Sequence, residues 1–564
     1  MVEKRCWDII VDNLEKEGIK YVFGLPGHPG ALYDSLYDSN VKPVLVRHEA
    51  SGVFMAMAYA KLLRNPGVCF ASPGPGVSNL IPGILEAWSG CVPIIALGGS
   101  AAITNEGKGE FQEAPQIDLF RSLTKWNFRI LKADQSSWAV RRAFTLAVNG
   151  KPGPVYLEIP FDIGQEKTET NSYRASIPFI RTRPDPVIVK KAAQLLLHAQ
   201  QPVIVAGGGS LYSGASKELI ELSELLGIPV LTTPSGRGVI PENHPMALGQ
   251  VGLYRTNVGK KLYQNSDLLI SLGSRNEEFQ TAAWKYYPAG AELIQVDIDP
   301  SELARNFYPT VSIVSDVKLF LRDLIDLIKI RVVKIPLTEI PRVKTIIEDS
   351  NAFRDLVSSE CTSSSKPLDT KRIIYEACRT FGPRTVLVNE NGSQDLWSYY
   401  WPYWEVGLDG CIAPAEQTCM GFAVSGCIGA KLAAPDRNVV CTTGDGAFQM
   451  FMKEMPTAVQ YKAPVTWIVL NNFSLGWIKL HEKANHERYI AVDFESQPDF
   501  TKIAKASGCY GEKVTEPEEI KPALTRALNE NNRGIPAMIE FIVNSKDFPE
   551  GFREFQPELF KNDR

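Results

Sequence analysis

The chain has 564 residues, 44% hydrophobic and 22% charged, with a formal net charge of −4. That length exceeds one core and predicts roughly three or four domains, and the near-neutral balance gives no reason to expect nucleic acid or an anionic membrane as partner. No run of 18 apolar residues offers a membrane span, and MVEKRCWDII, charged on both sides of a short apolar stretch, does not read as a secretory signal.

In chain order, short apolar strands alternate with longer amphipathic segments. Strands are predicted first at Tyr21–Gly24, Val44–Val46, Val68–Ala71, Pro93–Leu97 and Val155–Ile159. Pro202–Ala206, Pro229–Leu231, Leu268–Leu272 and Leu293–Val296 follow. Thr385–Val388, Val439–Thr442, Val465–Leu470 and Ala537–Phe541 complete the set. Continuous β-rich runs separated by helical stretches mark parallel sheets buried on both faces. Gln165–Pro184 is polar and Pro-punctuated, and Leu337–Asp369 is charged and contains SSECTSSSKP; both read as linkers. The expectation is an α/β protein of three doubly wound parallel-sheet domains, at 1–165, 186–335 and 368–547. The first and last share a plan of strand, Gly-rich turn and helix.

The ten cysteines include no CxxC pair, and Cys69, Cys427 and Cys441 lie in strongly apolar surroundings. Reduced thiols and a cytoplasmic location are expected. None of the six histidines is paired at metal-ligand spacing, which argues against a zinc enzyme.

The segment NVVCTTGDGAFQMFMKEMPTAVQYKAPVTWIVLNN, 438–472, is the most informative. A buried strand ends in Gly-Asp-Gly, Phe448–Lys462 has helical spacing, and a second buried strand ends at Asn471-Asn472. A right-handed β-α-β crossover brings both strand ends to one sheet edge, where ligands of open α/β sheets bind. Asp445 and Asn472 therefore offer a carboxylate and an amide oxygen, hard donors suited to Mg²⁺. Gly444 and Gly446 let backbone approach a diphosphate. Taken alone, Gly-Asp-Gly is common in turns; the Asn pair in register is what gives it meaning.

At this point the sequence resembles the thiamine-diphosphate enzymes, whose signature is GDG, then 24–27 residues, then NN. The resemblance implies a pyrimidine-binding, a central and a diphosphate-binding domain. It implies Mg²⁺ held by Asp445, Asn472 and the Ser474 carbonyl, with Gly444, Gly446 and Ala447 along the cofactor. Ser393 and Gln394 would lie by the diphosphate, and Met420, in TCMG, would wedge the cofactor into a bent conformation. Glu49 opens a helix after a strand in LVRHEASGVFMAMAYAK, 45–61. By itself it reads as a first-turn acid favoured by the helix dipole; by resemblance it is the acid that bonds the aminopyrimidine ring.

The resemblance spans almost the whole chain and is closest to acetohydroxyacid synthase and its relatives, through FGLPG (23–27), ASPGPGVSN (71–79), EFQEAP (110–115), RSLTKWN (121–127), GPVYLEIP (153–160), AGGGS (206–210), LGSR (272–275) and VDIDP (296–300). It places Phe111 and Gln112 near the reacting centre and implies a homodimer or homotetramer whose sites combine two subunits. AGGGSLYSG lacks the full G-x-G-x-x-G spacing. In the synthases the central domain holds FAD, and the matching positions are Gly207, Gly208, Gly209, Gly252, Arg275, Asp297 and Asp316. Relatives also keep this domain empty or holding ADP, so FAD, ADP and a vestigial site stay open.

Several substrate positions depart from the synthases. Phe161 stands for the Lys of IPKD, Phe279 for the second Arg of RFDDR, and Trp477 and His481 for the Met and Trp of GMVxQW. His28 stands at a glycine position. Losing two cations removes charge-assisted carboxylate contacts, so a hydrophobic or differently charged acceptor pocket is expected. His28 and His481 read either as proton shuttles or as packing and surface histidines. The expected activity is decarboxylation of a pyruvate-like 2-oxo acid with carboligation to a carbonyl acceptor. The alternatives are simple decarboxylation, C–C lyase chemistry of the 2-hydroxyacyl-CoA or diketone-cleaving type, a flavoprotein oxidoreductase, and a non-catalytic cofactor-binding protein.

Overall fold

The computed structural model describes residues 3–27, 31–169 and 172–563. The chain forms two compact units. One comprises Met1–Ile180, Pro414–Pro435 and Met450–Ala463; the other comprises Arg181–Ala413, Asp436–Gln449 and Pro464–Arg564. The third expected domain thus contributes segments to both.

The sheets confirm the α/β class. Three six-stranded sheets are parallel throughout. In the first, the strands lie in the order Lys42–Leu45, Tyr21–Gly24, Gly67–Ala71, Ile94–Ser100, Val155–Pro160, Trp126–Arg129. In the last, the order is Cys411–Ile412, Val386–Asn389, Val439–Gly444, Thr466–Asn471, Ala537–Ile542, Tyr510–Val514. Both follow one pattern: the second strand in sequence lies outside the first, and the sixth lies inside the fifth. The shared plan of the two ends therefore extends to strand order. The central sheet differs, running Ala247–Gln250, Val230–Thr232, Pro202–Ala206, Leu268–Leu272, Glu292–Asp297, Val311–Val314. That is the order of dinucleotide-binding sheets, with its switch point between the strands ending at Ala206 and Leu272.

All thirteen predicted strands form, and most of the unpredicted ones are edges. Trp126–Arg129, Ala247–Gln250, Val311–Val314, Cys411–Ile412 and Tyr510–Val514 each flank a sheet. An edge strand needs no apolar run on both faces, so it leaves little pattern to read. Two corrections concern helices. The stretch read as a linker at 337–369 contains a 20-residue helix, Pro341–Glu360, which buries Val343, Ile346, Ser350 and Val357 along one side. Its charged outer surface hid that spacing. The helix expected over Phe448–Lys462 is instead two short helices, Asp445–Phe451 and Met455–Gln460, joined by a 3₁₀ turn. Pro456 sits at the start of the second, where its missing N–H is harmless; inside one continuous helix it would break the ladder.

Helix Glu49–Leu63 is buried from Glu49 through Ala60. Its small residues and those facing it permit close backbone approach. A Cβ on Gly429, in helix Phe422–Ala433, would lie 2.0 Å from the Met55 carbonyl oxygen, and one on Gly67 would lie 2.3 Å from that of Ala56. This packing fixes the middle of the helix whose first residue is Glu49. Among the described residues, no helix is long and apolar enough to cross a membrane, and all ten cysteines are free thiols.

Candidate cofactor and metal site

The last sheet brings the ends of Val439–Gly444 and Thr466–Asn471 to one edge as neighbouring parallel strands. Asp445 is buried, 1% exposed, at the start of its helix. Its carboxylate accepts from Gln497 Nε2 at 2.5 Å and from the backbone N–H groups of Asn472 and Gly446. Burial pushes its pKa up to about 6 against these bonds, and no lysine or arginine among the described residues offsets the charge.

The two asparagines have different environments. Asn471 donates through Nδ2 to Gln497 Oε1 at 2.8 Å and Glu540 Oε1 at 2.7 Å, and its Oδ1 accepts from the Phe473 N–H at 2.9 Å. Its polar capacity is used inside the protein. Asn472 is half-buried, and its Oδ1 accepts from the Ser474 N–H at 3.1 Å. Phe473 between them has φ +57°, which forms the turn. Ser474 is buried, and its Oγ has no hydrogen-bond partner.

Space beside these groups is open. A Cβ built on Gly444 or Gly392 meets no atom within 4 Å, so backbone there is accessible to a ligand. Gly476, by contrast, is required by crowding: a Cβ would lie 2.2 Å from Ser393 Oγ and 2.7 Å from Asn472 Nδ2. Gln394, buried with Ser393, accepts from Thr370 Oγ1 at 3.1 Å. Ala447 is buried one residue past Gly446. A buried carboxylate lacking a cation among the described residues, a half-buried amide oxygen in the neighbouring turn and open glycine backbone fit a hard divalent cation with a diphosphate.

In the other unit, Glu49 is 6% exposed and accepts from Asn79 Nδ2 through Oε2 at 3.0 Å. The preceding His48 caps the helix, its Nδ1 accepting from the Ala50 N–H at 3.2 Å. Gly76 faces the acid closely: a Cβ there would lie 2.7 Å from Ser72 Oγ and 3.3 Å from Glu49 Oε1. Gln112 has φ +63°, a strained conformation that places its carbonyl 2.9 Å from where a Gly74 Cβ would stand. Gln116 pins this loop. It accepts from the Gly74 N–H at 2.7 Å and donates to the Gly99 carbonyl at 2.9 Å and the Tyr156 hydroxyl at 3.1 Å. Phe111 and Met420 are exposed, at 73% and 37%. His28 lies outside the described residues.

The central-domain candidates divide. Gly207 and Gly209 pack against the turn at Gly273, with Cβ positions 2.3 Å from Gly273 O and 2.8 Å from Gly273 Cα, so both turns of the switch point meet. Gly208 faces Ser235 instead. Arg275 is ion-paired with Glu277 at 2.8 Å, and Asp297 accepts from the Asp299 N–H at 3.0 Å. Gly252, at φ +70°, sits where a Cβ would be 1.9 Å from the Phe279 carbonyl oxygen, so backbone packing accounts for it. Asp316 caps helix Val317–Lys329 and is engaged by Arg181 at 2.8 Å and Ser213 Oγ at 2.9 Å.

Trp477 and His481 stand one turn apart on helix Gly476–Ala484, and the indole Nε1 donates to His481 Nε2 at 3.2 Å. Gln497, Asn79 and Gln116 escape sequence reasoning: each acts across a long stretch of chain, and none belongs to a periodic run. A single polar residue outside a long periodic run carries no signal of its distant partner.

The model of the thiamine pyrophosphate enzyme N-terminal TPP binding domain matches residues 5–119, that of the central domain 189–324, and that of the C-terminal TPP binding domain 392–541. The chain belongs to the thiamine pyrophosphate enzymes and is a thiamine-diphosphate-dependent enzyme of carbon–carbon bond chemistry. Within that family it resembles acetolactate synthase. It is 32% identical over 553 residues to a probable acetolactate synthase large subunit of Methanocaldococcus jannaschii, covering 95% of this chain and 91% of that protein. It is 33% identical to an acetolactate synthase of Mycobacterium bovis, covering 95% and 87%. Against the acetolactate synthase isozyme 3 large subunit of Escherichia coli it is 31% identical, covering 93% of each.

Proposed function

We propose that the protein decarboxylates a pyruvate-like 2-oxo acid and joins the remainder to a carbonyl acceptor, as an acetolactate-synthase-like carboligase using Mg²⁺ with its thiamine diphosphate. The observation that carries this reading is the buried Asp445 carboxylate, without a cationic partner among the described residues, meeting the Asn472 turn at the sheet edge. Asp445, the Asn472 side chain and the Ser474 carbonyl would hold the metal; Gly444, Gly446, Ala447, Ser393 and Gln394 would line the diphosphate. Bound thiamine diphosphate supplies a carbon nucleophile and takes up the electron pair released with CO₂.

The chain's own residues do the rest. Asn79 engages Glu49 Oε2, and Oε1 would be the oxygen that bonds the aminopyrimidine ring and holds the proton there. Met420 would brace the cofactor, and Phe111 and Gln112 would border the reacting carbonyl. His481 accepts the indole N–H, so it steadies Trp477. FAD belongs to this reading as a ligand of the central crevice near Gly207–Gly209, Arg275 and Asp297, without a part in turnover; an absorbance spectrum of purified protein distinguishes it from ADP or an empty site. A cytoplasmic homodimer or homotetramer completes the reading.

The test is product analysis. The protein, loaded with thiamine diphosphate and Mg²⁺, is incubated with 2-oxo acids and aldehydes, and products are identified by mass. A ligation product supports carboligation. Aldehyde and CO₂ alone would favour the simple decarboxylase, and cleavage of an acyl-CoA or diketone would favour the lyase.

A further inference from the structure

Helix Ile81–Ser89 carries a single ionisable side chain, Glu86, and buries it completely. A carboxylate removed from water needs donors inside the protein. Glu86 finds them 329 and 333 residues away: Oε1 accepts from the Ala415 N–H at 2.5 Å, and Oε2 from the Cys419 N–H at 2.9 Å. Burial raises its pKa, while those two bonds and the charge of Lys61 favour the ionised form. The helix itself is fixed, because a Cβ on Gly83 would lie 2.4 Å from Val53 Cβ on helix Glu49–Leu63.

Residues 415–421 form the turn that carries Met420. Besides the two bonds to Glu86, Cys419 Sγ donates to the Pro82 carbonyl at 3.3 Å, on the same helix. Thr418 has φ +47° and donates its N–H to the Ala415 carbonyl at 3.0 Å, so the chain doubles back between the two donors that Glu86 binds. On the other side of Met420, Gly421 has φ +87°, and a Cβ there would lie 1.9 Å from Phe451 Cδ2. Phe451 in turn meets Phe54, 5.6 Å away on helix Glu49–Leu63. Cys419 and Gly421 are both held, and Met420 is the exposed residue between them.

We propose that Glu86 is the positioning residue of Met420: its carboxylate sets the turn, and the turn aims the side chain that braces the cofactor. This rests on the thiamine-diphosphate reading, in which Met420 has that role. The arrangement calls for a carboxylate. Two N–H donors converge on one side chain, and Glu meets them with two acceptor oxygens. Gln has one oxygen and would turn its NH₂ toward the other donor. One backbone N–H would then be unpaired, and the turn would have to move to satisfy it.

The test is a double-mutant cycle on the full chain with Mg²⁺, using Glu86→Gln, Met420→Ala and the two together. Thiamine diphosphate binding is followed by calorimetry and pyruvate turnover by product formation. Glu86→Gln should weaken cofactor binding and lower kcat, each by about tenfold or more, with the KM for pyruvate held within about twofold. In the Met420→Ala background the same substitution should change either quantity by less than about twofold, because the side chain it positions is gone. Glu86→Asp keeps two acceptor oxygens and takes the place of Glu86→Gln in the cycle if that protein does not fold. Losses of similar size in both backgrounds overturn the inference, as does a Glu86→Gln protein that binds and turns over like wild type. A Met420→Ala protein that binds and turns over like wild type sinks the reading beneath it instead.

Discussion

Gln497 donates through Nε2 to the Asp445 carboxylate at 2.5 Å, although 52 residues of chain separate them. The same amide accepts from Asn471 through Oε1, so one side chain ties the two strand ends together. The bond lowers the proton affinity of a carboxylate that burial raises. Gln497→Leu should therefore weaken Mg²⁺ binding by about tenfold, as loss of a partner to a metal ligand does elsewhere, and more strongly at pH 6 than at pH 8. A Mg²⁺ titration of the variant that overlays the wild-type curve at both pH values would refute this.

Asp445 also sets a pH dependence in the metal-free chain. Its folded pKa of about 6 lies above its ordinary value of 3.8, so the folded state holds the extra proton. Stability from this group is full below about pH 4 and is lost as pH rises through about 6. Asp445→Asn carries no such charge. Without Mg²⁺ it should be more stable than wild type by about 3 kcal/mol above pH 7, with the gap closing near pH 4, while activity is abolished. Scanning calorimetry across that range checks the sign.

Glu49→Gln keeps the Asn79 contact and the buried shape but removes the exchangeable proton. Turnover should fall by at least about a hundredfold with the circular dichroism spectrum and thiamine diphosphate affinity retained. Refolding this variant together with Asp445→Asn should restore part of the activity if each site combines Glu49 of one subunit with Asp445 of another. No restoration in proven mixed dimers would place both residues of a site in one subunit.

Gly76→Ala places a methyl group 2.7 Å from Ser72 Oγ and 3.3 Å from Glu49 Oε1. The helix backbone cannot yield freely, so the acid should be displaced, lowering kcat by about tenfold and stability by about 1–3 kcal/mol. Adding Ser72→Ala removes the nearer atom and should recover part of both. If the double variant is no better than the single one, crowding at Ser72 is not the cause.

Arg237 and Glu242 form a fully buried pair, 2.8 Å apart, and Arg237 also donates to the carbonyls of Ser398 and Trp404. Arg237→Met strands the carboxylate and should cost about 3–5 kcal/mol. Pairing it with Glu242→Leu should recover most of that loss in denaturant unfolding, because both charges are then gone.

Strands such as Pro202–Ala206 and Leu268–Leu272 are legible to the residue because a strand buried on both faces is an unbroken apolar run. Edge strands such as Val311–Val314, which alternates buried and exposed residues, lack that run. Helix Pro341–Glu360 was hidden by its charged surface, since its sparse buried positions are diluted by solvent-facing residues. In the candidate site, Asp445 and Asn472 were readable because a β-α-β unit carries both within one stretch of sequence. Glu49 was readable only through resemblance, and its Asn79 and Gly76 neighbours were not.

By itself, then, the sequence determined the alternation of strand and helix, the three parallel sheets and the thiamine-diphosphate class, because these rest on local periodicity and short motifs. Tertiary structure decided which asparagine is buried and engaged inside the protein, since Asn471 is claimed by Gln497 and Glu540, which are remote in sequence. It also decided that the C-terminal phenylalanines stand behind Trp477. Polar pairing and aromatic packing across long separations depend on the fold bringing the partners together, and no periodicity along the chain encodes them.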